Sequence, residues 1–319
     1  MKIAVDVMGG DFGPGEVIAG ALSWLEKETE ASVILVGAAE QIEPILKELN
    51  YDPSRLSVVN ATQVIGMEES PAIAMRRKKD ASIVVATGLV KSGQADAILS
   101  CGSTGAQMAA ALFILGRMEG IERPPIVGEL PNISGSSSLL IDVGANVDCR
   151  PSQLVQFAAL GSAYAAAILA VPSPRVGLLN NGLEETKGNA AAVEAFALLR
   201  QQPRLNFIGN VEGRDILAGN CDVIVCDGFT GNILLKSMEG LVLFLAQHTL
   251  KELGKLPAIY QKVDYRQVGG APLLGVKGIS VVCHGSSKRQ AVHSGMNIAA
   301  QCIKSRIVEQ QETALAALI

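Results

Sequence analysis

Three side chains of this 319-residue chain stand where they could act on an anionic substrate: Lys187, Asn232 and His284. Each lies in a turn containing glycine that follows an apolar run. Lysine neutralises anions, an asparagine amide donates hydrogen bonds, and imidazole exchanges a proton near neutral pH. This combination suits a reaction that binds a phosphate and releases a leaving group.

Each of these residues also has a purely structural interpretation. Lys187 lies in Gly182-Leu-Glu-Glu-Thr-Lys-Gly188, before a predicted helix, and could neutralise a phosphate or pair on the surface with the two glutamates. Asn232 could donate its amide to a substrate oxygen or cap the helix that it opens. His284 could serve a leaving group or tie a strand end to a neighbouring carbonyl. The local sequence leaves these alternatives open.

Six turns rich in Gly, Asn, Ser or Asp each follow an apolar run, and most lead into a predicted helix. They are Met8–Asp11, Gly102–Gly105, Asp142–Asn146, Gly182–Gly188, Asp227–Asn232 and His284–Ser287. Glycine lets the backbone approach a ligand closely, and the N–H groups at a helix start attract anions. We therefore take the following as candidate substrate-binding residues: Asp11, Gly102, Ser103, Thr104, Asp142, Gly144, Asn146, Gly285 and Ser286. An N-cap role for Ser103 or Thr104 is an equal alternative.

The elements that must position these turns alternate between strand and helix. Predicted strands are 2–7, 32–37, 57–60, 95–100, 138–143, 175–180, 206–209, 222–227 and 278–284. Predicted helices are 15–27, 39–49, 70–93 (as two helices), 106–116, 153–170, 189–200, 232–253 and 288–308. The pattern predicts an α/β fold in three layers, α/β/α, around a mostly parallel sheet. Residues 1–319 form one catalytic domain or two intimately packed lobes, with Pro172–Pro174 as the best boundary.

Composition narrows the possible partners. The net charge of −4 argues against nucleic acid, although a local patch could still bind an acidic protein. Arg76-Arg77-Lys78-Lys79 is the densest cationic run, and its alternative interpretation is a solvated turn. The six cysteines form no Cys-x-x-Cys pair, so they are interpreted as reduced core residues of a cytoplasmic protein.

The common cofactor motifs do not occur. Neither Gly-x-Gly-x-x-Gly nor Gly-x-x-x-x-Gly-Lys-Ser/Thr follows a predicted strand, which makes NAD and ATP poor candidates. The histidines at 248, 284 and 293 are too scattered for a zinc site. We therefore expect no cofactor and no metal.

Residues 236–270 form a candidate amphipathic segment for a membrane surface or a dimer contact. Lys251, Lys255 and Lys262 surround Leu253 and Leu256, a pattern that suits anionic lipid headgroups. Core packing or a subunit interface is the alternative. No apolar stretch is expected to approach the ~20 residues of a spanning helix, and the opening residues predict a strand rather than a signal peptide.

Ten sequence strings, taken in order, resemble those of the bacterial phosphate acyltransferase family (PlsX), over nearly the whole chain. They are Asp6–Asp11, Met67–Pro71, Arg77–Asp80, Gly102–Ala106, Asp142–Asp148, Glu184–Gly188, Phe207–Asp215, Val225–Asn232, Tyr265–Gly275 and His284–Ser287. Departures from the usual strings are Val7, Ser103, Asn181 and Leu183. Leu183 removes one carboxylate beside Lys187, which puts in doubt a role for a third glutamate there.

The resemblance implies transfer of a long-chain acyl group from acyl carrier protein to inorganic phosphate, giving acyl phosphate for phospholipid synthesis. It implies the fold of isocitrate and isopropylmalate dehydrogenases and phosphotransacetylases, and a homodimer. It also implies a cytoplasmic enzyme in peripheral contact with the membrane, near the acyltransferase that passes the acyl group to glycerol 3-phosphate. The rivals are a phosphotransacetylase using acyl coenzyme A, a dehydrogenase, and a membrane-surface scaffold.

On this resemblance the candidate residues take roles. Lys187 and the N–H groups of the glycine-rich turns bind phosphate, and Asn232 binds phosphate or the developing oxyanion. His284 assists the departing thiol. Arg76, Arg77, Lys78 and Lys79 dock the acidic carrier protein, while Leu253, Lys255 and Leu256 face the membrane.

Overall fold

The computed structural model describes residues 1–257, 259–260 and 269–318, and it divides the chain into two compact units. The first unit contains residues 1–117 and the described part of 266–304. The second contains the described part of 118–265 and residues 305–318. Pro172–Pro174 lies inside the second unit, so the boundary predicted there is wrong.

The first unit is built on a six-stranded sheet in which all described neighbours are parallel except one edge pair. Its strands are β1 (Lys2–Asp6), β2 (Ser32–Gly37), β3 (Leu56–Asn60), β4 (Ala97–Ser100), β10 (Gly270–Leu273) and β11 (Ile279–Cys283). Its helices are α1 (Gly13–Leu25), α2 (Ala39–Lys47), α3 (Pro71–Arg77), α4 (Ser82–Lys91), α5 (Thr104–Ala110) and α9 (Arg289–Lys304). The strand order is β10-β11-β4-β1-β2-β3.

Two neighbouring residues of β4 show why this unit has three layers. Ile98 packs in a buried cluster with residues of α4 and α5. Leu99 lies on the other face, where a Cβ atom on Gly295 of α9 would lie 2.8 Å from it. Successive strand residues point to opposite faces, so helices cover both sides of the sheet.

The second unit is built on a five-stranded sheet of order β5-β6-β9-β7-β8. Its strands are β5 (Val127–Pro131), β6 (Ser137–Ile141), β7 (Arg175–Leu179), β8 (Asn206–Val211) and β9 (Val223–Val225). Its helices are α6 (Pro151–Ile168), α7 (Ala190–Arg200), α8 (Gly228–Leu253) and α10 (Ile307–Ala316). Helix α6 packs on β6 and β9, because Gly161 brings the helix within contact of Val223 and Ile141.

Helix α8 differs from the other long helices because it buries almost nothing. Of its 26 residues only Gly228 and Gly231 are buried, and apolar side chains along it are exposed, among them Leu253 at 62%. By length and composition it is apolar enough to cross a membrane. The expectation that no such stretch exists is therefore wrong, and so is the core-packing interpretation of this segment. Lys262 and residues 265–268 of the Tyr265–Gly275 string lie outside the described residues.

The predicted α/β class with mostly parallel strands is confirmed, and most strand and helix predictions agree within a few residues. The predicted helix 288–308 ends at Lys304, and α10 follows it. Two strands, β5 and β10, were not predicted. Both are antiparallel edge strands that contain glycine and proline, residues that weaken the pattern of a strand.

Candidate active site

Parallel strands place Lys187 and Asn232 at the same edge of the second sheet. The turns after β6, β9, β7 and β8 all leave the carboxyl ends of parallel neighbours, where ligands of α/β proteins bind. Lys187 lies in the loop after β7, and Asn232 lies in the first turns of the helix after β9, the adjacent strand. The topology therefore brings the candidate cation and amide to neighbouring turns.

The Lys187 loop is exposed and is fixed through its backbone. Residues 183–189 are all exposed, and the side chain of Asn180 donates to Lys187 O at 2.9 Å. Glu185 pairs with Arg200 at 2.6 Å, and in the described structure neither Glu184 nor Glu185 forms an ion pair with Lys187. The surface-pair interpretation of Lys187 is therefore not what the structure shows.

The carboxylate of Asp142 organises the turn after β6. Asp142 is fully buried, and its two oxygens accept from the backbone N–H groups of Ile126, Gly144, Ala145 and Asn146 and from Asn146 Nδ2, at 2.7–3.1 Å. Burial raises the pKa of the Asp142 carboxyl, and these hydrogen bonds oppose the shift. Asp142 therefore fixes the shape of the turn. Asn146 is also buried and donates to Pro124 O.

Asn232 faces this turn without capping its helix. Asp227 caps α8 by accepting from Thr230 N at 2.7 Å, so the helix begins four residues before Asn232 and the capping interpretation is wrong. Asn232 is exposed, and a Cβ atom on Gly144 would lie 3.5 Å from Asn232 Oδ1. The amide is therefore at the surface of the turn, in ordinary contact range of position 144, where φ +138° favours glycine.

In the first unit, His284 has a defined hydrogen-bonding role at one ring nitrogen. Its Nδ1 accepts from Ser286 N at 3.1 Å and lies 2.7 Å from Ser286 Oγ. Since Nδ1 accepts a backbone N–H, the proton of the neutral imidazole is on Nε2. His284 is exposed, and in this tautomer Nε2 is the donor nitrogen of its ring.

Asp11 lies beside the His284 turn. Asp11 N donates to Gly285 O at 2.8 Å, and a Cβ atom on Gly285 would lie 3.3 Å from Asp11 Oδ1. The turns after β1 and β11 are thus joined, and they flank the turn after β4, the strand between them.

The turn after β4 is held by a buried relay. Gly102 N donates to Ser100 Oγ at 3.0 Å, and Ser100 Oγ donates to Asp6 Oδ2 at 2.7 Å. Burial raises the pKa of the Asp6 carboxyl. Ser103 caps α5 by accepting from Ala106 N at 3.4 Å, in agreement with the capping alternative, and Thr104 is exposed beside it.

The cationic run does not act as one unit. Arg76, Arg77 and Lys79 are exposed, whereas Lys78 donates to Glu69 at 2.6 Å and to Val64 O at 2.7 Å. Lys78 is therefore committed to its own unit, and three cations are left as the candidate docking group.

Each unit thus gathers part of the predicted set. The first unit joins the turns of Asp11, Gly102 and His284, and the second places the turns of Asp142, Lys187 and Asn232 along one edge. The sequence reasoning missed four supporting side chains: Asp6, Ser100, Asn180 and Asn210. Each is a polar residue in or directly after an otherwise apolar strand, which is the signal that could have found them.

Comparisons with known proteins show the family to which the chain belongs. The family model described as "Fatty acid synthesis protein" matches residues 1–310. The chain is 63% identical over 315 residues to the phosphate acyltransferase of Syntrophomonas wolfei, covering 99% of this chain and 98% of that one. It is 50% identical to the phosphate acyltransferase of Heliobacterium modesticaldum, covering 97% and 96%.

Among solved structures, a phosphotransacetylase from Streptococcus pyogenes matches with a TM-score of 0.66 at 20% identity, covering 97% of this chain and 94% of that chain. A 4-hydroxythreonine-4-phosphate dehydrogenase from Salmonella typhimurium matches with a TM-score of 0.55 at 13% identity, covering 94% and 98%. These likenesses show the fold that the resemblance implied. From the family match and the identity over the full length, this chain belongs to the phosphate acyltransferase (PlsX) family and is an acyltransferase.

Proposed function

We propose that this enzyme transfers a long-chain acyl group from acyl carrier protein to inorganic phosphate, giving acyl phosphate for phospholipid synthesis. The observation that carries the proposal is the Lys187 loop. It presents an exposed lysine, with no ion pair to its neighbouring glutamates, on the sheet edge that also carries Asn232. In a phosphate acyltransferase, this is the cation best placed to bind the phosphate.

The proposed reaction needs positioning more than activation. A phosphate oxygen attacks the thioester carbon, the C–O bond forms, the C–S bond breaks, and the phosphate proton ends on the released thiol. Holding phosphate and thioester in a near-attack geometry supplies roughly 7–11 kcal/mol. A well-placed donor to the oxyanion adds roughly 3–4 kcal/mol, and we assign this role, or a phosphate contact, to Asn232.

His284 is assigned to the leaving thiolate. Its Nε2 proton, fixed by the bond from Ser286 N to Nδ1, allows the neutral ring to donate to sulfur. A thiol of pKa about 8.5 is already a good leaving group, so the contribution is expected to be modest.

The acidic carrier protein would dock on Arg76, Arg77 and Lys79. All three are exposed and lie at or just after the end of α3. The first residue of this helix, Pro71, lies 2.9 Å from a Cβ atom placed on Gly105. This contact connects the cations to the turn that carries Ser103 and Thr104. Electrostatic complementarity of this kind raises the association rate more than the final affinity.

The exposed apolar face of α8 supports two further parts of the proposal. A 26-residue helix with two buried residues needs a partner, and a second copy of the chain would cover it and form the homodimer. Leu253, Lys255 and Leu256, all exposed at its end, would contact the membrane surface from the cytoplasm. There the product would reach the acyltransferase that transfers it to glycerol 3-phosphate.

The function is tested by measuring thiol release from a long-chain acyl carrier protein with and without inorganic phosphate. We expect release that requires phosphate and is much slower with the corresponding acyl coenzyme A. A preference for acyl coenzyme A would instead support the rival phosphotransacetylase, and release without phosphate would contradict both.

The membrane contact is tested by the paired change Leu253→Glu and Leu256→Glu. Since both side chains are exposed, the variant should keep its dimer mass and its turnover in solution but lose flotation with anionic liposomes. Arg204→Glu, an exposed position before β8, provides the control, which should still float. Flotation of the paired variant would contradict the assignment, as would its conversion to monomers.

A further inference from the structure

The loop that carries Lys187 has almost no apolar contacts of its own to hold it. Of residues 181–190 only Gly182 is buried. Lysine has a long, flexible stem, and a displacement of about 1 Å at a binding group costs up to about a hundredfold in rate. Something other than core packing must therefore fix the position of Lys187.

Two hydrogen bonds hold the backbone N–H and carbonyl groups of Lys187 itself. Its N–H donates to Glu184 O at 3.1 Å, and its carbonyl oxygen accepts from Asn180 Nδ2 at 2.9 Å. Asn180 also accepts from Asn181 N at 2.8 Å, which fixes the orientation of its amide. Lys187 is thus tied on both sides, once to the loop and once to the end of β7.

The first of these ties is anchored by Asn210 of β8. Asn210 is only 6% exposed, and its Nδ2 donates to Glu184 O at 2.8 Å, the same oxygen that accepts from Lys187 N. Within the described residues Asn210 Oδ1 accepts no hydrogen bond. An apolar residue would fill this buried position at lower cost, so the amide is explained by its bond to the loop.

The loop glycines fit the same arrangement. A Cβ atom on Gly182 would lie 2.9 Å from Lys187 Cγ, so Gly182 makes room for the lysine stem. Gly188 has φ +99°, and a Cβ atom there would lie 2.5 Å from Asn180 Oδ1. Only glycine permits this backbone and this close approach of the amide.

We infer that Asn180 and Asn210 are positioning residues that hold Lys187 in its phosphate-binding place. The inference rests on the proposed function, because it assumes that Lys187 binds phosphate. Asn180 acts on the carbonyl side of Lys187, and Asn210 acts through Glu184 O on the N–H side.

The test compares Asn210→Ala and Asn180→Ala with Asn206→Ala. Asn206 is the matched control, because it is at the other end of β8 and donates to Ser173 O at 3.2 Å, away from the loop. We expect the first two changes to lower kcat/KM for phosphate about tenfold while the KM for the acyl donor stays within about twofold. The control should stay within about twofold in every constant.

A double-mutant cycle with Lys187→Ala separates positioning from a general effect on the fold. If the asparagines act through Lys187, then Asn210→Ala should change kcat/KM for phosphate by less than about twofold when Lys187 is already absent. An undiminished loss in that background would overturn the inference. So would unfolding of both asparagine variants, which would show that the amides serve the fold.

Phosphate binding to the full chain without acyl donor, measured by calorimetry, distinguishes the two possible failures. If the natural protein binds phosphate and Asn210→Ala binds equally well, the inference is wrong and the proposed function stands. If the natural protein neither binds phosphate nor turns over with it, the proposed function itself fails.

Discussion

The two units use one device, a buried aspartate at a strand end, in two different ways. In the second unit Asp142 accepts only N–H donors, four from the backbone and one from an amide, and so fixes its turn directly. In the first unit Asp6 accepts from Met8 N and from the hydroxyl of Ser100, which relays to the next turn. The Asp6 arrangement can adapt by rotating a hydroxyl, and the Asp142 arrangement cannot.

Other turns of the two units carry different chemistry. The second unit presents a lysine cation and the Asn232 amide, whereas the first presents the His284 ring with its proton on Nε2. On the proposed roles, anion binding belongs to the second unit and proton donation to the first.

The largest effect is expected for Lys187→Ala. Removing the cation from an exposed loop should lower phosphate-dependent turnover at least a hundredfold, on the order of a charged contact to the transition state, while the melting temperature stays nearly unchanged. Arg204→Ala is the control, because it removes an exposed cation outside these loops, and its phosphate-dependent turnover should be normal. If Lys187→Ala keeps its activity at saturating phosphate, the second unit does not act by neutralising the charge of the phosphate.

Asp142→Asn and Asp6→Asn test the difference in rigidity. An amide at 142 must point its NH2 group at two or more N–H donors, so we expect a loss of about 3 kcal/mol in the free energy of unfolding. At position 6 the Ser100 hydroxyl can turn and accept, so the loss should be about 1 kcal/mol. Burial raises the pKa of both carboxyls, so loss of the charge acts in the same direction at both positions. Equal losses in urea unfolding would show that the two arrangements do not differ.

His284→Ala should lower kcat about tenfold and leave the KM for phosphate unchanged, because the ring donates to the leaving group only. His284→Gln retains an N–H donor and should keep much of the rate. A rise in the KM for phosphate with unchanged kcat would show that His284 contacts the phosphate. The two units would then not differ in their chemistry.

The smallest effect is expected at the docking group. Arg76→Glu with Arg77→Glu should raise the KM for acyl carrier protein about fivefold and weaken its salt dependence, without changing phosphate kinetics. Lys47→Glu is the control, because it also replaces an exposed cation by an anion, at the end of α2. An unchanged KM for the carrier protein would contradict docking at this run.

Much of the fold followed from sequence because its central strands are runs of Val, Ile and Leu buried on both faces. The edge strands β5 and β10 did not, since Gly and Pro mask their pattern. Helix α8 shows a different limit: α6 and α8 are both rich in apolar residues, yet α6 is largely buried and α8 is exposed. Periodicity alone does not say which apolar helix is covered.

The candidate site was predictable in its turns but not in their support. Lys187 and His284 became candidates because Lys187 is a cation in a glycine-bounded loop before a helix and His284 is an imidazole at the end of an apolar strand. Asn210 and Asp6 were not, since their roles depend on contacts to residues 26 and 94 positions away in sequence. Such pairings follow from strand order and register, which no local pattern contains.

The proposed acyl transfer to phosphate is tested by identifying the product. Enzyme is mixed with long-chain acyl carrier protein and inorganic phosphate, and the reaction is followed by ³¹P NMR together with a thiol assay. We predict an acyl phosphate resonance that grows in step with free carrier-protein thiol and is lost in Lys187→Ala. Thiol release with free fatty acid and no acyl phosphate signal would contradict the account.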